Sequence, residues 1–94
     1  MTETEFLLTY PEEVVKTMTM LPIGTVVDVK YSDHSKVMRY TVTHYSMYVA
    51  GDVPDICVSA ENDEGGRVSI VYDIRNNKLY TRATMAPVTI VSKP

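Results

Sequence analysis

Residues 68–85 read VSIVYDIRNNKLYTRATM, in which two runs of alternating apolar and polar residues flank a polar centre. Alternation with a period of two is typical of strands that bury one face. Asn76 and Asn77 lie between the runs, and because asparagine tolerates a positive φ, they predict a two-residue type I′ turn. The stretch therefore predicts an antiparallel β-hairpin, and with it a β architecture.

This turn would set the register of the hairpin and so divide its residues between two faces. On the core face we expect residues to oppose one another in pairs: Ile74 with Leu79, and Tyr72 with Thr81. On the outer face we expect two mixed pairs: Asp73 with Tyr80, and Val71 with Arg82.

Residues 9–21 have the pattern of a short helix that packs on a sheet. Thr9 and Glu12 match a capping box at its start. Three apolar residues follow at helical spacing: Val14, Met18 and Leu21. Pro22 and Gly24 end the helix, which is short enough to depend on tertiary packing for its stability. Residues 6–8 fit either a short strand or an apolar arm.

Four more segments predict strands: residues 25–31, 37–49, 56–60 and 88–91. Loops are expected at residues 32–35, 50–55 and 61–66. Within residues 37–49 the apolar set changes phase, from Met38, Tyr40 and Val42 to Tyr45, Met47 and Val49. Because a slip of one residue exchanges the two faces of a strand, we predict a β-bulge or bend near Thr43 and His44.

Short consecutive strands with tight loops indicate a mainly β (α+β) fold. We expect a small antiparallel meander or partly closed barrel of about six short strands, with one N-terminal helix packed on it. The 94 residues correspond to a single domain, residues 1–94.

The composition favours a soluble, acidic, cytoplasmic protein. The net charge is −3, and the apolar fraction of 45% is typical of globular domains. A single cysteine, Cys57, excludes an internal disulfide, which a small extracellular domain would usually need. We find neither a leader peptide nor an apolar run long enough to span a membrane, and from Met1 we expect a complete small gene product.

No motif predicts catalysis, a metal site or a cofactor. His34 beside Asp33 and His44 at the predicted bulge are the candidates for acid–base chemistry, but neither has a recognisable nucleophile near it. One cysteine and two histidines lack the spacing of metal ligands, and the acidic loop at residues 61–66 lacks a calcium pattern. We therefore expect a protein that is not an enzyme, with a His-dependent hydrolase as the remaining exception.

The outer face of the hairpin is the best candidate for a binding surface. Residues 65–94 have five basic residues and one acidic residue, whereas residues 45–64 have five acidic residues and no basic one. Tyrosine and arginine are frequent anchors of interfaces. The predicted surface comprises Tyr80, Arg82, Arg75, Lys78 and Arg39. The alternative is a solvated face with weak ion pairs.

Three functional hypotheses follow from these features. The leading one is a small binding protein that acts through protein–protein contact as a regulator or inhibitor of a larger partner. The second is a small-ligand, nucleotide-type binder whose pocket lies at a homo-oligomer interface and is lined by Tyr40, His44 and Tyr48. The third is binding of single-stranded nucleic acid by five basic residues: Lys30, Arg39, Arg75, Lys78 and Arg82. The net negative charge argues against the third.

Overall fold

The sheet of this protein is a six-stranded antiparallel barrel that is nearly closed. The computed structural model describes residues 11–31, 36–50 and 53–94, and at residues 11, 13, 47–50 and 53–55 it describes the backbone alone. These residues form one helix, α1 (Pro11–Met20), and six strands: β1 (Val26–Lys30), β2 (Val37–Ala50), β3 (Val53–Glu61), β4 (Arg67–Asp73), β5 (Lys78–Thr81) and β6 (Val88–Ser92). The strand order is β5-β4-β3-β2-β1-β6, and every pairing is antiparallel. The predicted fold class is confirmed.

The two outermost strands of this order meet through a tight turn. Tyr80 pairs with Pro87 in an antiparallel bridge, and the Thr81 N–H donates to the Ala86 carbonyl at 3.0 Å. The Thr81 hydroxyl oxygen accepts a hydrogen bond from the Ala86 N–H at 3.0 Å, and the Thr81 carbonyl accepts one from the Met85 N–H at 2.9 Å. The turn at residues 82–85 therefore brings the end of β5 against the chain that leads into β6.

Alternate residues of the strands fill the barrel, as expected for strands with one buried face. The main core cluster contains ten buried residues: Leu21, Val27, Val29, Tyr40, Val42, Val58, Ala60, Ile70, Ala86 and Val88. A second cluster forms where α1 packs on β3, through Val14 and Ile56. Tyr45 packs against both clusters, and its hydroxyl donates to the Leu21 carbonyl at 2.6 Å. This bond fixes the end of the helix to the sheet.

The predicted bulge in β2 is confirmed at the expected place. Val42 pairs with Ala60, and His44 pairs with Ser59, so Thr43 is the extra residue. The bulge repairs the change of phase, because Tyr40 and Val42 before it and Tyr45 after it all pack into the core.

The hairpin at residues 68–85 is confirmed, but its predicted turn and register are wrong. Asp73 pairs with Lys78, and Tyr72 with Leu79, so the loop has four residues, 74–77, rather than two. Asn77 has a φ of 51°, whereas Asn76 is not among the residues with positive φ, which a type I′ turn requires at both positions.

The longer loop is stabilised by side chains of the hairpin itself. The Asp73 carboxylate accepts hydrogen bonds from the Asn76 side-chain amide at 2.8 Å and from the Asn76 N–H at 3.4 Å. The Tyr72 hydroxyl donates to the Asn77 side-chain oxygen at 2.8 Å. Because the register moves by two residues, each residue keeps its predicted face, and Ile70 and Thr81 are buried.

Two predicted strand ends also need correction. The second run of the hairpin ends at Thr81 rather than continuing to Met85, because the hydrogen bonds of Thr81 turn the chain at residues 82–85. The loop expected at residues 50–55 is shorter, because β3 already begins at Val53. Pro54 is tolerated there because the neighbouring strand β4 pairs with β3 only at residues 58–61. On the side that faces β4, the backbone of β3 at Pro54 therefore forms a sheet edge.

Four expectations lie outside the described residues. They are the helix cap at Thr9, the segment at residues 6–8, the loop at residues 32–35 and the turn residues 51–52.

The hydrogen bonds that close the barrel predict that a nearly isosteric substitution at Thr81 lowers the free energy of unfolding. Thr81→Val removes the hydroxyl that accepts from the buried Ala86 N–H, and an unsatisfied buried donor costs about 1–3 kcal/mol. Urea denaturation should show this loss in the free energy of unfolding. The matched control Thr89→Val, at an exposed position of β6, should change it by less than about 0.5 kcal/mol. Equal effects of the two substitutions would contradict the assigned role of Thr81.

The buried tyrosine of β2 predicts a specific loss of stability at alkaline pH. Burial raises the pKa of Tyr40 to about 12, and the hydrogen bond between its hydroxyl and that of Tyr31, at 3.1 Å, acts in the same direction. From about pH 10 upward the unfolded chain loses this proton while the folded chain keeps it, so stability falls until the pH reaches the folded pKa. Tyr40→Phe should therefore flatten the dependence of unfolding free energy on pH in this window. An unchanged slope would refute this assignment.

Candidate functional site

The outer surface has a cleft between the β4–β5 hairpin and the start of β6, which we call the seam cleft. Its volume is about 660 Å³. It is lined by nine residues: Asp73, Asn76, Asn77, Lys78, Leu79, Tyr80, Met85, Pro87 and Val88.

The seam cleft exists because β5 and β6 form no continuous ladder. Their bridge at Tyr80 and Pro87 is isolated, and proline has no N–H with which to extend it. The Pro87 carbonyl instead accepts a hydrogen bond from the Lys30 N–H at 3.1 Å, and β6 then follows β1. The two strands therefore part beside Tyr80, and the cleft lies where they part.

Met85 forms an exposed apolar rim on this cleft. Its side chain is 70% exposed, and its φ of 55° lies in the left-handed region. Such a backbone is uncommon for residues other than glycine, asparagine and aspartate, and costs about 1–2 kcal/mol. The turn that closes the barrel imposes this φ, because the Met85 N–H donates to the Thr81 carbonyl.

The charges of the cleft leave one cation, Lys78, without a partner among the residues that the structure describes. Hydrogen bonds from Asn76 hold the pKa of Asp73 below its ordinary value, and the nearby Arg75 guanidinium acts in the same direction. The Asp73 carboxylate is thus engaged within the loop. Lys78 is exposed and makes no side-chain hydrogen bond or ion pair with another residue of the described ranges. Its ammonium group can therefore meet an external anion.

The structure distributes the predicted surface residues over three places. Tyr80 and Lys78 line the seam cleft, and Arg75 is exposed in the adjoining loop. Arg82 lies instead at a second depression, the arginine groove, lined by Tyr31, Arg67, Val68, Ser69, Thr81, Arg82, Ala83 and Thr84. Arg39 is on β2, where its guanidinium binds the Asp28 carboxylate at 2.8 and 3.2 Å. That pair lowers the pKa of Asp28, chiefly through the hydrogen bond.

Met85 and Pro87 were missed by the sequence interpretation. In the sequence, Met85 continues an alternating run that predicts a strand, and Pro87 follows that run without a predicted contact. The proline was nevertheless a usable signal, since a proline between two strands restricts how far they can pair.

The predicted small-ligand pocket is not brought together in the described residues. The Tyr40 side chain is 6% exposed and lies inside the barrel. His44 is exposed at the bulge, where its Nδ1 lies 3.0 Å from the Thr43 hydroxyl. The side chain of Tyr48 lies outside the described residues, as does His34.

The other chemical candidates occupy ordinary structural positions. Cys57 is half-buried in β3. In the acidic loop, the Asn62 side-chain oxygen accepts from the N–H groups of Glu64 and Gly66 at 3.1 and 2.6 Å, so the loop is organised by its own hydrogen bonds. Within the described ranges, no group of three or more His, Cys, Asp or Glu side chains is placed to hold a metal ion.

Helix α1 is too short and too polar to cross a membrane, and it is the one helix in the part of the chain that the structure describes.

Comparisons of the chain with protein-family models, curated protein sequences and solved structures returned no match.

The strained backbone at Met85 predicts an unusual response to glycine. Met85→Gly removes the cost, about 1–2 kcal/mol, of holding a side-chain-bearing residue in the left-handed backbone conformation. It adds about 0.5–1 kcal/mol, because glycine loses more backbone entropy on folding. The free energy of unfolding should therefore stay the same or rise. Val91→Gly, at another exposed apolar position on β6, should lower it by about 0.5–1 kcal/mol. Thermal and urea denaturation compare the two, and a loss at position 85 as large as that at position 91 would contradict the strain.

Proposed function

We propose that this chain is a non-enzymatic binding protein that acts through protein–protein contact, with the seam cleft as its contact surface. In this proposal it is a cytoplasmic regulator or inhibitor of a larger partner. The single cysteine supports the compartment, because small extracellular domains of this size usually depend on disulfides.

The observation that carries the proposal is the exposed methionine of the closing turn. The Met85 side chain is 70% exposed, and covering this apolar surface with a partner would remove it from water, which is favourable. Methionine adapts to irregular surfaces because it is unbranched and polarizable. It shares the cleft with Tyr80 and Pro87, and tyrosine and methionine are both enriched at protein interfaces. The cleft thus offers the apolar centre that an interface needs.

The polar rim of the cleft favours a protein partner with an acidic side chain. Lys78 would meet an acidic side chain, which would orient the partner and raise the association rate. The cleft is large enough for one anchoring apolar or aromatic side chain of that partner, the arrangement from which interfaces draw most of their binding free energy.

The positions of the basic residues favour protein contact over single-stranded nucleic acid. Arg39 is paired with Asp28, and Arg67 with Glu61 at 2.7 Å. Arg82 and Lys78 line different depressions. A strand of nucleic acid needs a continuous cationic track with stacking aromatic residues, and this distribution does not favour one.

Affinity capture from a lysate of the source cells tests the proposal with two cleft variants. Met85→Asn removes the apolar side chain but keeps a residue that tolerates positive φ, and Lys78→Glu reverses the charge of the rim. Both should reduce the captured partner by about tenfold or more, as expected for a central anchor. Quantitative mass spectrometry measures the partner, and thermal denaturation confirms that the variants are folded.

Two substitutions at the start of β2, at residues that do not line the seam cleft, serve as matched controls. Val37→Asn changes another exposed apolar residue, and Lys36→Glu makes the same charge reversal beside it. Both controls should retain the partner. The proposal fails if the cleft variants keep every protein that the wild type captures, and nuclease-sensitive capture would favour the nucleic-acid hypothesis instead.

A further inference from the structure

Strand β6 ends the sheet order and keeps one edge largely unpaired within the described ranges. It pairs with β1 along its whole length, from Val88 to Ser92. Its contact with β5 is one isolated bridge, between Tyr80 and Pro87, at the point where β6 begins. Beyond that bridge the other side of β6 faces an opening in the barrel, because β5 and β6 part there.

The hydrogen bonds of β6 show which backbone groups lie on this open edge. The Pro87 carbonyl accepts from the Lys30 N–H at the end of β1, so the backbone of Pro87 faces β1. Successive residues of an antiparallel strand direct their backbone groups to opposite sides. Val88 and Ile90 therefore direct theirs away from β1. In the part of the chain that the structure describes, no strand pairs with Ile90 on that side, so its N–H and its carbonyl remain for another strand.

The edge of β6 lacks the residues that usually protect exposed strands. Proteins commonly guard such an edge with charged residues or proline. Strand β6 reads VTIVS and has neither, and its exposed apolar residue Val91 is 46% accessible. Its register shift lies after Ile90, near the end of the strand. By contrast, the sheet edge of β3 has both Pro54 and Asp55. The edge of β6 is thus suited to accept a further strand.

A second depression, which we call the helix groove, lies between α1, the hairpin loop and the end of β6. Its volume is about 480 Å³. Its apolar lining comes from the helix and from the hairpin: Val15, Met20, Tyr72 and Ile74.

The free edge of β6 runs from the seam cleft to the helix groove. Val88 lines the first, Lys93 lines the second, and Asn77 lines both. The two depressions lie on opposite faces of the sheet, because the adjacent residues Tyr72 and Asp73 of β4 line the helix groove and the seam cleft respectively. A strand added to β6 would direct alternate side chains to these two faces.

Lysines at the two depressions indicate the charge of the segment that fits the opening. Lys78 lines the seam cleft, and Lys93 lines the helix groove. The Lys93 ammonium donates to the uncharged Thr19 carbonyl at 3.3 Å, and neither lysine forms an ion pair with a described residue. A third lysine of the helix groove, Lys16, is already paired with Glu12. A second copy of this chain would bring the same lysines together, and like charges are unfavourable at an interface. The opening therefore favours an acidic segment of another protein.

We propose that the partner of the seam cleft contributes an extended acidic segment, which adds a strand to the free edge of β6. This inference rests on the proposed protein contact and specifies how the partner binds. Hydrogen bonds to the backbone of Ile90 provide affinity, and alternate apolar side chains of the segment enter the seam cleft and the helix groove. Its acidic side chains meet Lys78 and Lys93.

Amide hydrogen exchange, followed by NMR in the free chain, tests whether the edge is open. The Ile90 N–H should exchange much faster than the Thr89 N–H, which faces β1 and serves as the internal control. Slow exchange of Ile90 at every protein concentration would mean that another part of this chain covers the edge. Slowing that grows with protein concentration would mean that a second copy covers it. Either result overturns the proposal.

Peptides selected on this chain from a phage-displayed library of short random peptides serve as the probe for strand addition. They should have apolar residues at alternate positions and at least one acidic residue. N-methylation at every second peptide bond should weaken binding by about fivefold, as the loss of one hydrogen bond predicts, whereas the bonds between should be less sensitive. Equal sensitivity at all positions would overturn the proposal, and so would a library that yields no binding peptide.

Substitutions relate the bound peptide to both depressions. Met85→Asn in the seam cleft and Lys93→Glu in the helix groove should each weaken binding by about fivefold or more, as expected for an apolar anchor and a charge-assisted contact. Lys36→Glu makes the same charge reversal at an exposed residue outside both depressions and should leave the affinity unchanged. Binding that neither of the first two variants weakens would contradict the proposed position of the segment.

Hydrogen exchange in the peptide complex separates this inference from the proposed contact on which it rests. The bound peptide should slow exchange of the Ile90 N–H and leave that of Thr89 unchanged. If the cleft variants lose the captured partner while Ile90 still exchanges rapidly in the peptide complex, the protein contact stands and the added strand is refuted. If the cleft variants keep the captured partner, it is the proposed function that fails.

Discussion

The barrel depends on the hydrogen bonds that Thr81 makes across the closing turn. Its N–H, its carbonyl and its hydroxyl each bond to Ala86 or Met85, and its side chain is 1% exposed. Without these bonds β5 and the start of β6 would be two open edges, and open edges are where β proteins pair with other chains. The hydrogen bonds of a single threonine therefore join the two strands that would otherwise be the open edges of the sheet. Both surface depressions are formed on either side of this junction, so the same bonds position them.

A second constraint comes from the small size of the domain. Six short strands cannot bury both sides of a sheet, and α1 supplies part of the missing cover through Val14. Tyr45 connects the two core clusters and bonds to the end of the helix, which it can do only because the bulge at Thr43 turns its side chain inward. The irregularity in β2 is thus the reason that helix and barrel form one packed unit.

Much of this fold could be predicted from local patterns, and the error in the hairpin register has a physical cause. The bulge was predictable because a change of phase in a period-two pattern has few other repairs. The hairpin register was not, because the Asp73 carboxylate stabilises a four-residue loop in competition with the turn that Asn76 and Asn77 favour.

The residues that line the seam cleft were predicted to lie together only where strand alternation applies. Lys78 and Tyr80 line the cleft together because both lie on β5, two residues apart. Arg82 and Met85 continue the same alternation in sequence, but the bonds of Thr81 remove them from the strand. Pro87 reaches Tyr80 through the turn at residues 82–85, and Arg39, on β2, is held by Asp28 on β1 and is separated from β5 by two strands. The alternation of a single run predicts neither arrangement.

The four-residue loop between Asp73 and Lys78 also bears on how this chain can vary in evolution. Adding or removing two residues there would leave every side chain of β5 on its present face, whereas a change of one residue would turn Leu79 and Thr81 outward. Related chains should therefore differ in this loop by even numbers of residues. Odd length changes should be found only with a compensating bulge in one of the two strands.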